Sequence, residues 1–227
     1  MARLAMAAAF ALCVAGCGPI PAAQRGAELF ASPALSPAQS NVFACATCHD
    51  ARDGGDPARR PPGYTMWGAA GRPTWWGGEY RVLLDAVNEC YVEFMRGERL
   101  AESAVDGRAL RTYLGTLGPA TSPALPFTVV KDIADLPTGD AGRGATTWRA
   151  ACGVCHGDPH TGGGRLGPRV SILPEDTQKS FPGMARLVTI EKVRHGKFFG
   201  IGGNMPPFSV ESLTDGELSD VLAFVGL

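Results

Sequence analysis

The sequence has almost no net charge. Its 21 lysines and arginines nearly cancel 22 aspartates and glutamates, which leaves a formal charge of −1 over 227 residues. With no field of one sign to hold a polyanion, the composition argues against nucleic-acid binding. Charged residues make up only 19 % of the chain and apolar residues 45 %. Disorder driven by excess charge is therefore excluded, and the 30 glycines and 18 prolines predict a loop-rich globular protein.

Long hydrophobic runs are also lacking. The apolar run at residues 4–15 follows Arg3 and is too short to cross a bilayer core of ~30 Å, so it predicts an export signal. Residues 14–17, Val-Ala-Gly-Cys, resemble the bacterial lipoprotein signal. That resemblance implies removal of residues 1–16, acylation of Cys17, and a mature protein anchored by lipid on the periplasmic side of a bacterial membrane. The alternative is an ordinary signal that is cleaved near Ala15 or Ala23.

Seven cysteines cannot all pair as disulfides, and four of them lie in two copies of one motif. Both copies read C-x-x-C-H, the attachment signature of c-type haem, with Cys45, Cys48 and His49 in the first and Cys152, Cys155 and His156 in the second. Two thiols one helical turn apart can bond to the two porphyrin vinyl groups, and the adjacent histidine can then ligate the iron. We expect two covalently bound haems. A thioredoxin-like redox pair or half of a zinc site are the competing interpretations, but neither the surrounding pattern nor the cysteine count supports them.

Similarity beyond the motifs predicts two domains in tandem. Arg-Gly-Ala at residues 25–27 and 143–145 begins a short amphipathic helix before each motif, and a helix with apolar residues at i, i+3, i+4 and i+7 closes each copy, at 107–117 and 214–225. Thr214 and Glu217 predict a capping box. We expect domains at 17–117 and 140–227, with separate cores joined only by a proline-rich linker at 118–139. Residues 32–41 are predicted to be a surface loop.

This plan resembles class I cytochrome c over nearly the whole mature chain, which implies a mainly α fold with loops around each haem. The segment Leu166-Gly167-Pro168 resembles the turn of that family in which the proline packs on the haem and its carbonyl orients the proximal histidine. In the first domain either Pro61-Pro62 or Arg72-Pro73 could serve. The glycines at 162–167 match G-x-G-x-x-G, but they follow a haem motif rather than a strand, so a dinucleotide site is excluded.

The distal ligand of the second haem is predicted to be Met205, which precedes two prolines on a glycine-rich loop, as in the distal segment of the cytochrome c family. A thioether ligand raises the iron potential and suits one-electron transfer. His195 is the rival, but its place in a basic segment predicts a surface or supporting role. That segment, with Lys192, Arg194 and Lys197, could dock an acidic redox partner or could simply be a solvated helix face. His160 is predicted to be exposed.

In the first domain Cys90 and Met95 are both candidate ligands. If Cys90 is only a buried core cysteine, Met95 is the ligand. However, Asn-x-Cys followed by Met-x-Gly resembles the cysteine-ligated haem domain of sulfur-oxidising dihaem cytochromes, namely thiosulfate dehydrogenase and the dihaem subunit of the thiosulfate-oxidising complex. Arg96 departs from that pattern, since an asparagine is usual there.

The leading hypothesis from the sequence is one-electron transfer by a lipid-anchored dihaem cytochrome whose partners are other cytochromes or membrane respiratory complexes. The alternative is oxidation of a small sulfur anion such as thiosulfate at a thiolate-ligated first haem. In that case Arg59, Arg60 and Arg72 could line an anion site, although they could equally pair with haem propionates or be solvated. No hydrolase elbow, phosphate loop or metalloprotease motif supports another enzyme class.

Overall fold

A computed structural model describes residues 19–227. The predicted signal at 1–16 and the predicted lipidation site Cys17 lie outside these residues. Within them the chain is mainly α-helical, and β pairing is limited to one isolated bridge between Trp75 and Tyr80. The predicted fold class is therefore confirmed. No helix among residues 19–227 has the length and apolar character needed to span a membrane.

Nine α-helices are present in this part of the chain, and glycine- and proline-rich loops separate them. In chain order they are α1 (Ala22–Ala31), α2 (Cys45–Cys48), α3 (Leu83–Glu93), α4 (Val105–Gly115), α5 (Ala141–Thr147), α6 (Gly153–His156), α7 (Glu175–Ser180), α8 (Ala185–His195) and α9 (Asp215–Phe224). A π-helical turn, Trp148–Cys152, joins α5 to α6. Residues 118–139 contain no helix, as the prolines predict.

Each half of the chain is built on one close helix crossing. In the first half α1 packs against α4, and a Cβ on Gly26 would clash with the carbonyl oxygen of Ala109. In the second half α5 packs against α9, and a Cβ on Gly144 would clash with the carbonyl oxygen of Asp220. The repeated glycine is therefore explained by the close approach of two backbones.

The arginine before each glycine forms an ion pair with the partner helix. Arg25 Nε donates to Asp106 at 2.8 Å, and Arg143 Nε donates to Asp220 at 2.7 Å. Both arginines are partly exposed, so each pair contributes modestly to stability and mainly fixes the orientation of the two helices.

Two apolar cores lie beside these crossings. The first contains Phe30, Leu35, Tyr91, Met95, Leu110 and Leu114, and the second contains Ala151, Ile190, Val193, Phe208, Leu213, Leu218 and Leu222. The predicted capping box is present, since Thr214 Oγ1 accepts from the Glu217 backbone N–H and the Glu217 carboxylate accepts from the Thr214 backbone N–H.

The predicted surface loop at 32–41 is partly a core element. It contains a short 3₁₀ turn, Pro33–Leu35, and the Leu35 side chain belongs to the first core. The Tyr91 hydroxyl donates to the Leu35 carbonyl at 2.9 Å. The serines and prolines predicted a loop correctly, but one leucine among them anchors the loop.

The two halves also contact each other directly, which the expected linker does not account for. The backbone N–H of Arg60 donates to the Ala150 carbonyl at 2.8 Å, and the Arg60 side chain pairs with Glu217. The Thr128 backbone N–H in the linker donates to Glu211 at 3.1 Å. The separate cores are therefore held together by an interface as well as by residues 118–139.

We predict that Gly26→Ala and Gly144→Ala each lower the free energy of unfolding by about 1–3 kcal/mol, because the added methyl must push apart two packed helices. Chemical denaturation of the full-length protein, followed by the helical circular dichroism signal, measures the change. Gly216→Ala in α9 is the control, since its Cβ would meet no atom within 4 Å; it should be neutral or stabilising. Equal effects of all three substitutions would contradict the crossing as the cause.

Candidate haem-binding sites

The first candidate site surrounds the first C-x-x-C-H motif. Cys45 and Cys48 begin and end α2, and His49 follows directly; the three side chains line one largely apolar cavity. The His49 Nδ1 lies 2.7 Å from the Tyr64 carbonyl oxygen. Since a carbonyl can only accept, this contact places the proton on Nδ1 and leaves the Nε2 lone pair available for a metal.

The second candidate site repeats this arrangement. Cys152 ends the π-helical turn, Cys155 and His156 lie in α6, and all three line a second cavity. The His156 Nδ1 lies 2.9 Å from the Ser171 carbonyl oxygen. In both halves the accepting carbonyl belongs to the residue fifteen positions after the histidine.

These contacts correct the expected role of Pro168. Pro168 lines the second cavity, as the resemblance implied, but the carbonyl that orients the histidine belongs to Ser171. Tyr64 stands three residues after Pro61, as Ser171 stands three residues after Pro168. The equivalent turn in the first half is therefore Pro61-Pro62 rather than Arg72-Pro73.

Burial favours the neutral form of both histidines. It lowers the pKa of His49 and of His156, although the backbone hydrogen bond of each ring acts in the opposite direction. Burial also raises the pKa of the Cys45 thiol to about 11 and that of Cys152 to about 12. Neutral imidazoles are the form that ligates iron, and protonated thiols in an apolar cavity do not react by themselves at neutral pH.

Cys90 and Met95 both line the first cavity, so both remain candidate ligands of the first haem. Cys90 lies on α3, and Met95 follows the end of that helix and is only 3 % exposed. Burial raises the pKa of the Cys90 thiol to about 12. A thiolate at this position therefore requires a cation such as iron to stabilise it.

Met205 lines the second cavity, as predicted for its distal ligand. His195 is held elsewhere, because its Nδ1 contacts Glu191 at 2.6 Å and its Nε2 contacts the Val130 carbonyl. His160 is exposed, as predicted, and lies 2.7 Å from Glu175. Met205 therefore stays the predicted ligand of the second site, and the His195 ring is occupied by other contacts.

The basic segment is not a free docking surface. Arg194 is buried and bonds to Asp215 at 2.6 Å, Lys197 pairs with Glu93, and Lys192 Nζ donates to the Ile201 and Gly203 carbonyls at 2.6 and 2.8 Å. All three cations serve internal contacts. A sequence pattern does not show which charges are already paired, and the expectation of three free cations at this segment is corrected by these contacts.

The three arginines considered for an anion site are also engaged. Arg60 pairs with Glu217, Arg59 donates to the Ala46 and Thr47 carbonyls, and Arg72 donates to the Thr65 and Trp67 carbonyls. Arg72 lines the first cavity and Arg59 the second, so the structure does not gather them into one anion site.

The two cavities adjoin each other. Five residues line both of them, namely Phe43, Cys48, Pro62, Phe94 and Pro206. The thiols of Cys48 and Cys155, one from each motif, are close enough to interact electrostatically. Burial raises the pKa of Cys48 most, and the nearby Cys155 thiol raises it further. The two C-x-x-C-H segments therefore share one wall.

The residues present fit a covalently attached haem at each site. Each cavity offers two thiols, a neutral imidazole, apolar walls and a sulfur-containing side chain. The Thr189 hydroxyl, which also belongs to the lining of the second cavity, is buried without a hydrogen-bond partner in the protein. A buried hydroxyl of this kind is costly unless a bound group satisfies it, which is consistent with an occupant that has polar atoms.

Comparison with known proteins finds a family match in the second half of the chain. Residues 139–225 match the family model "Cytochrome C oxidase, cbb3-type, subunit III". Among solved structures, thiosulfate dehydrogenase (TsdBA) from Marichromatium purpuratum is 20 % identical over 90 % of this chain, with a TM-score of 0.42. The match spans 45 % of that protein's length. No curated sequence matches the chain.

Residues 139–225 are therefore similar to a c-type cytochrome domain. Domains of this class transfer single electrons through covalently bound haem c, and they are typically exported.

Several functional contacts escaped sequence reasoning. The carbonyls of Tyr64 and Ser171 have no residue signature, although the equal spacing from each histidine is a signal that could have found them. The contacts of Lys192 with the loop before Met205 depend on tertiary packing. Trp148 donates from Nε1 to the Gly157 carbonyl at 3.0 Å, directly after His156.

We predict that Trp148→Phe lowers the free energy of unfolding by about 1–3 kcal/mol, because the substitution leaves the partly buried Gly157 carbonyl without its donor. Urea denaturation of the haem-loaded protein measures the effect. Trp67→Phe, at an indole that is 37 % exposed, is the matched control and should change stability by less than about 0.5 kcal/mol. Indistinguishable midpoints for both variants would contradict the role of this hydrogen bond.

Proposed function

We propose that this protein is a dihaem c-type cytochrome that transfers single electrons. One observation carries the proposal: both halves present the same arrangement of two cysteines and a histidine whose Nδ1 meets a carbonyl fifteen residues later, beside an apolar cavity. The family match covers the second arrangement, and the first has the same parts.

The residues of the chain divide the work at each site. Cys45 and Cys48, or Cys152 and Cys155, would attach the group, and the Nε2 of His49 or His156 would ligate its iron. Haem supplies a reversible one-electron change of iron oxidation state. The apolar walls lower the local dielectric and exclude water, and Met205 is the proposed distal ligand at the second site.

The shared wall supports electron exchange between the sites. Phe94 and Pro206 line both cavities, so packed side chains of the two halves, and not residues 118–139 alone, connect the two sites. With Cys90 as thiolate ligand the first site would have the lower potential and Met205 would give the second the higher, which makes transfer from the first to the second downhill.

We propose further that the protein is exported and anchored by a lipid on Cys17, on the periplasmic side of a bacterial membrane. The support is the sequence at residues 1–17 together with the typical location of c-type cytochrome domains. Its electron donors and acceptors would then be other cytochromes or membrane respiratory complexes.

Oxidation of a small sulfur anion such as thiosulfate is the second candidate function. The observation in its favour is the place of Cys90 in the first cavity with His49. The engagement of Arg59, Arg60 and Arg72 with other partners weakens it. The choice between carrier and enzyme therefore depends on the ligand at the first site.

We predict that the mature full-length protein carries two haems. Its intact mass should include both, together with acylation at Cys17. Replacing Cys45 and Cys48 together by alanine, or Cys152 and Cys155 together, should remove one haem each and leave the other attached, because each site has its own core. A single haem in the parent protein, or loss of both from either variant, would overturn the dihaem proposal; a soluble product that begins elsewhere would overturn the anchor.

We predict that Cys90→Met raises the potential of the first haem, since a neutral thioether stabilises ferric iron less than a thiolate does. Met95→Leu should leave the visible spectrum unchanged and cost less than ~1.5 kcal/mol of stability. A spectroelectrochemical titration measures both, and adding thiosulfate to the oxidised parent protein tests turnover. If Met95→Leu instead gives a high-spin first haem while Cys90→Met changes nothing, Met95 is the ligand and the enzymatic alternative loses its support.

A further inference from the structure

The loop that carries Met205 is held from two sides. From its own half, Lys192 Nζ donates to the carbonyls of Ile201 and Gly203. From the other half, Arg96 donates from its guanidinium to Asn204 Oδ1 at 3.1 Å, and Asn204 Nδ2 donates to the Phe94 carbonyl at 3.3 Å. Asn204 directly precedes Met205, so the first half of the chain fixes the residue next to the proposed ligand.

Residues 94–96, which contact Asn204, lie next to the two candidate ligands of the first site. Arg96 follows Met95 and lies six residues after Cys90, the two candidate ligands of the first haem. Its backbone has a positive φ of 59°. The left-handed conformation is unfavourable for a non-glycine residue, so it persists where other contacts compensate. The contacts of Arg96 and Phe94 with Asn204 are such a compensation.

Further contacts join the same two segments. Lys197, before the Met205 loop, pairs with Glu93 at the end of α3. The rings of Phe94 and Phe198 pack edge to face, with centroids 6.0 Å apart. Each segment also lines the cavity of the other half, since Pro206 belongs to the first cavity and Arg96 to the second.

We propose that Arg96 and Asn204 are positioning residues through which the first domain holds Met205 in place as distal ligand of the second haem. This role rests on the proposed dihaem function. Arg96 departs from the pattern of the cytochromes that the first half resembles, and its proposed role is to hold Asn204. It also means that a change at the distal segment of one haem is transmitted to the ligand of the other.

The test uses the full-length, haem-loaded protein and two single variants. Arg96→Asn keeps a side chain that tolerates the left-handed backbone but removes the guanidinium. Asn204→Ala removes both contacts of the side chain, whereas Asn204→Asp keeps the acceptor for Arg96 and loses only the donor to the Phe94 carbonyl. Arg99→Asn is the matched control, because Arg99 lies three residues away and pairs with Asp85 of its own half at 2.8 Å.

The readouts are the red absorption band of ferric haem ligated by methionine and the potential of the second haem. Arg96→Asn and Asn204→Ala should each lower the ratio of methionine-bound to methionine-free second haem, roughly two- to tenfold for a lost hydrogen bond. The potential should fall with it, because loss of the thioether favours ferric iron. The double variant should lose little more than either single variant, as for two residues that act through one contact. Arg99→Asn should resemble the parent protein, and Asn204→Asp should lose less of the methionine-bound form than Asn204→Ala does.

Two results would overturn the proposal and are distinguishable from each other. If the parent protein lacks the methionine band, the ligand assignment to Met205 fails and the positioning role fails with it. If the parent has the band and Arg96→Asn and Asn204→Ala leave it unchanged, or add their effects independently, the dihaem function stands and the positioning role alone is wrong.

Discussion

The close crossing of the first and last helices of each half is the contact on which both sites depend. At Gly26 and at Gly144 two helix backbones approach so closely that no side chain fits between them. The crossing places the C-x-x-C-H segment, which follows the opening helix, next to the apolar face of the closing helix. Leu110 and Leu114 of α4 consequently line the first cavity, and Leu218 and Val221 of α9 line the second.

The interface between the halves joins two similar units by direct contacts. Each unit has its own core beside its own cavity, and the shared wall at Phe94 and Pro206 adds lining residues from the other half to each site. Charged groups such as Lys197 and Glu93 are used inside this interface rather than displayed to a partner.

Features that repeat locally could be predicted from the sequence. The two motifs, the Arg-Gly-Ala segments and the period of the closing helices predicted two helical units, because each feature reflects a local or internal constraint. Met205 could be proposed because prolines and glycines around it mark a loop. The proximal turn was less accessible, since a backbone carbonyl is offered by every residue and only the tertiary fold selects Tyr64 or Ser171.

Contacts between the halves could not be predicted, because they join residues more than eighty positions apart. No sequence pattern indicates that Arg96 and Asn204 form a pair. Likewise, the sequence alone does not show that cations at 192–197, such as Lys197, are bound to internal partners. We propose that this one chain holds two haem centres of unequal potential. Redox titration of the full-length protein, with haem absorbance and electron count recorded together, tests it most directly: we expect two separate one-electron steps, and a single one-electron step would contradict the account.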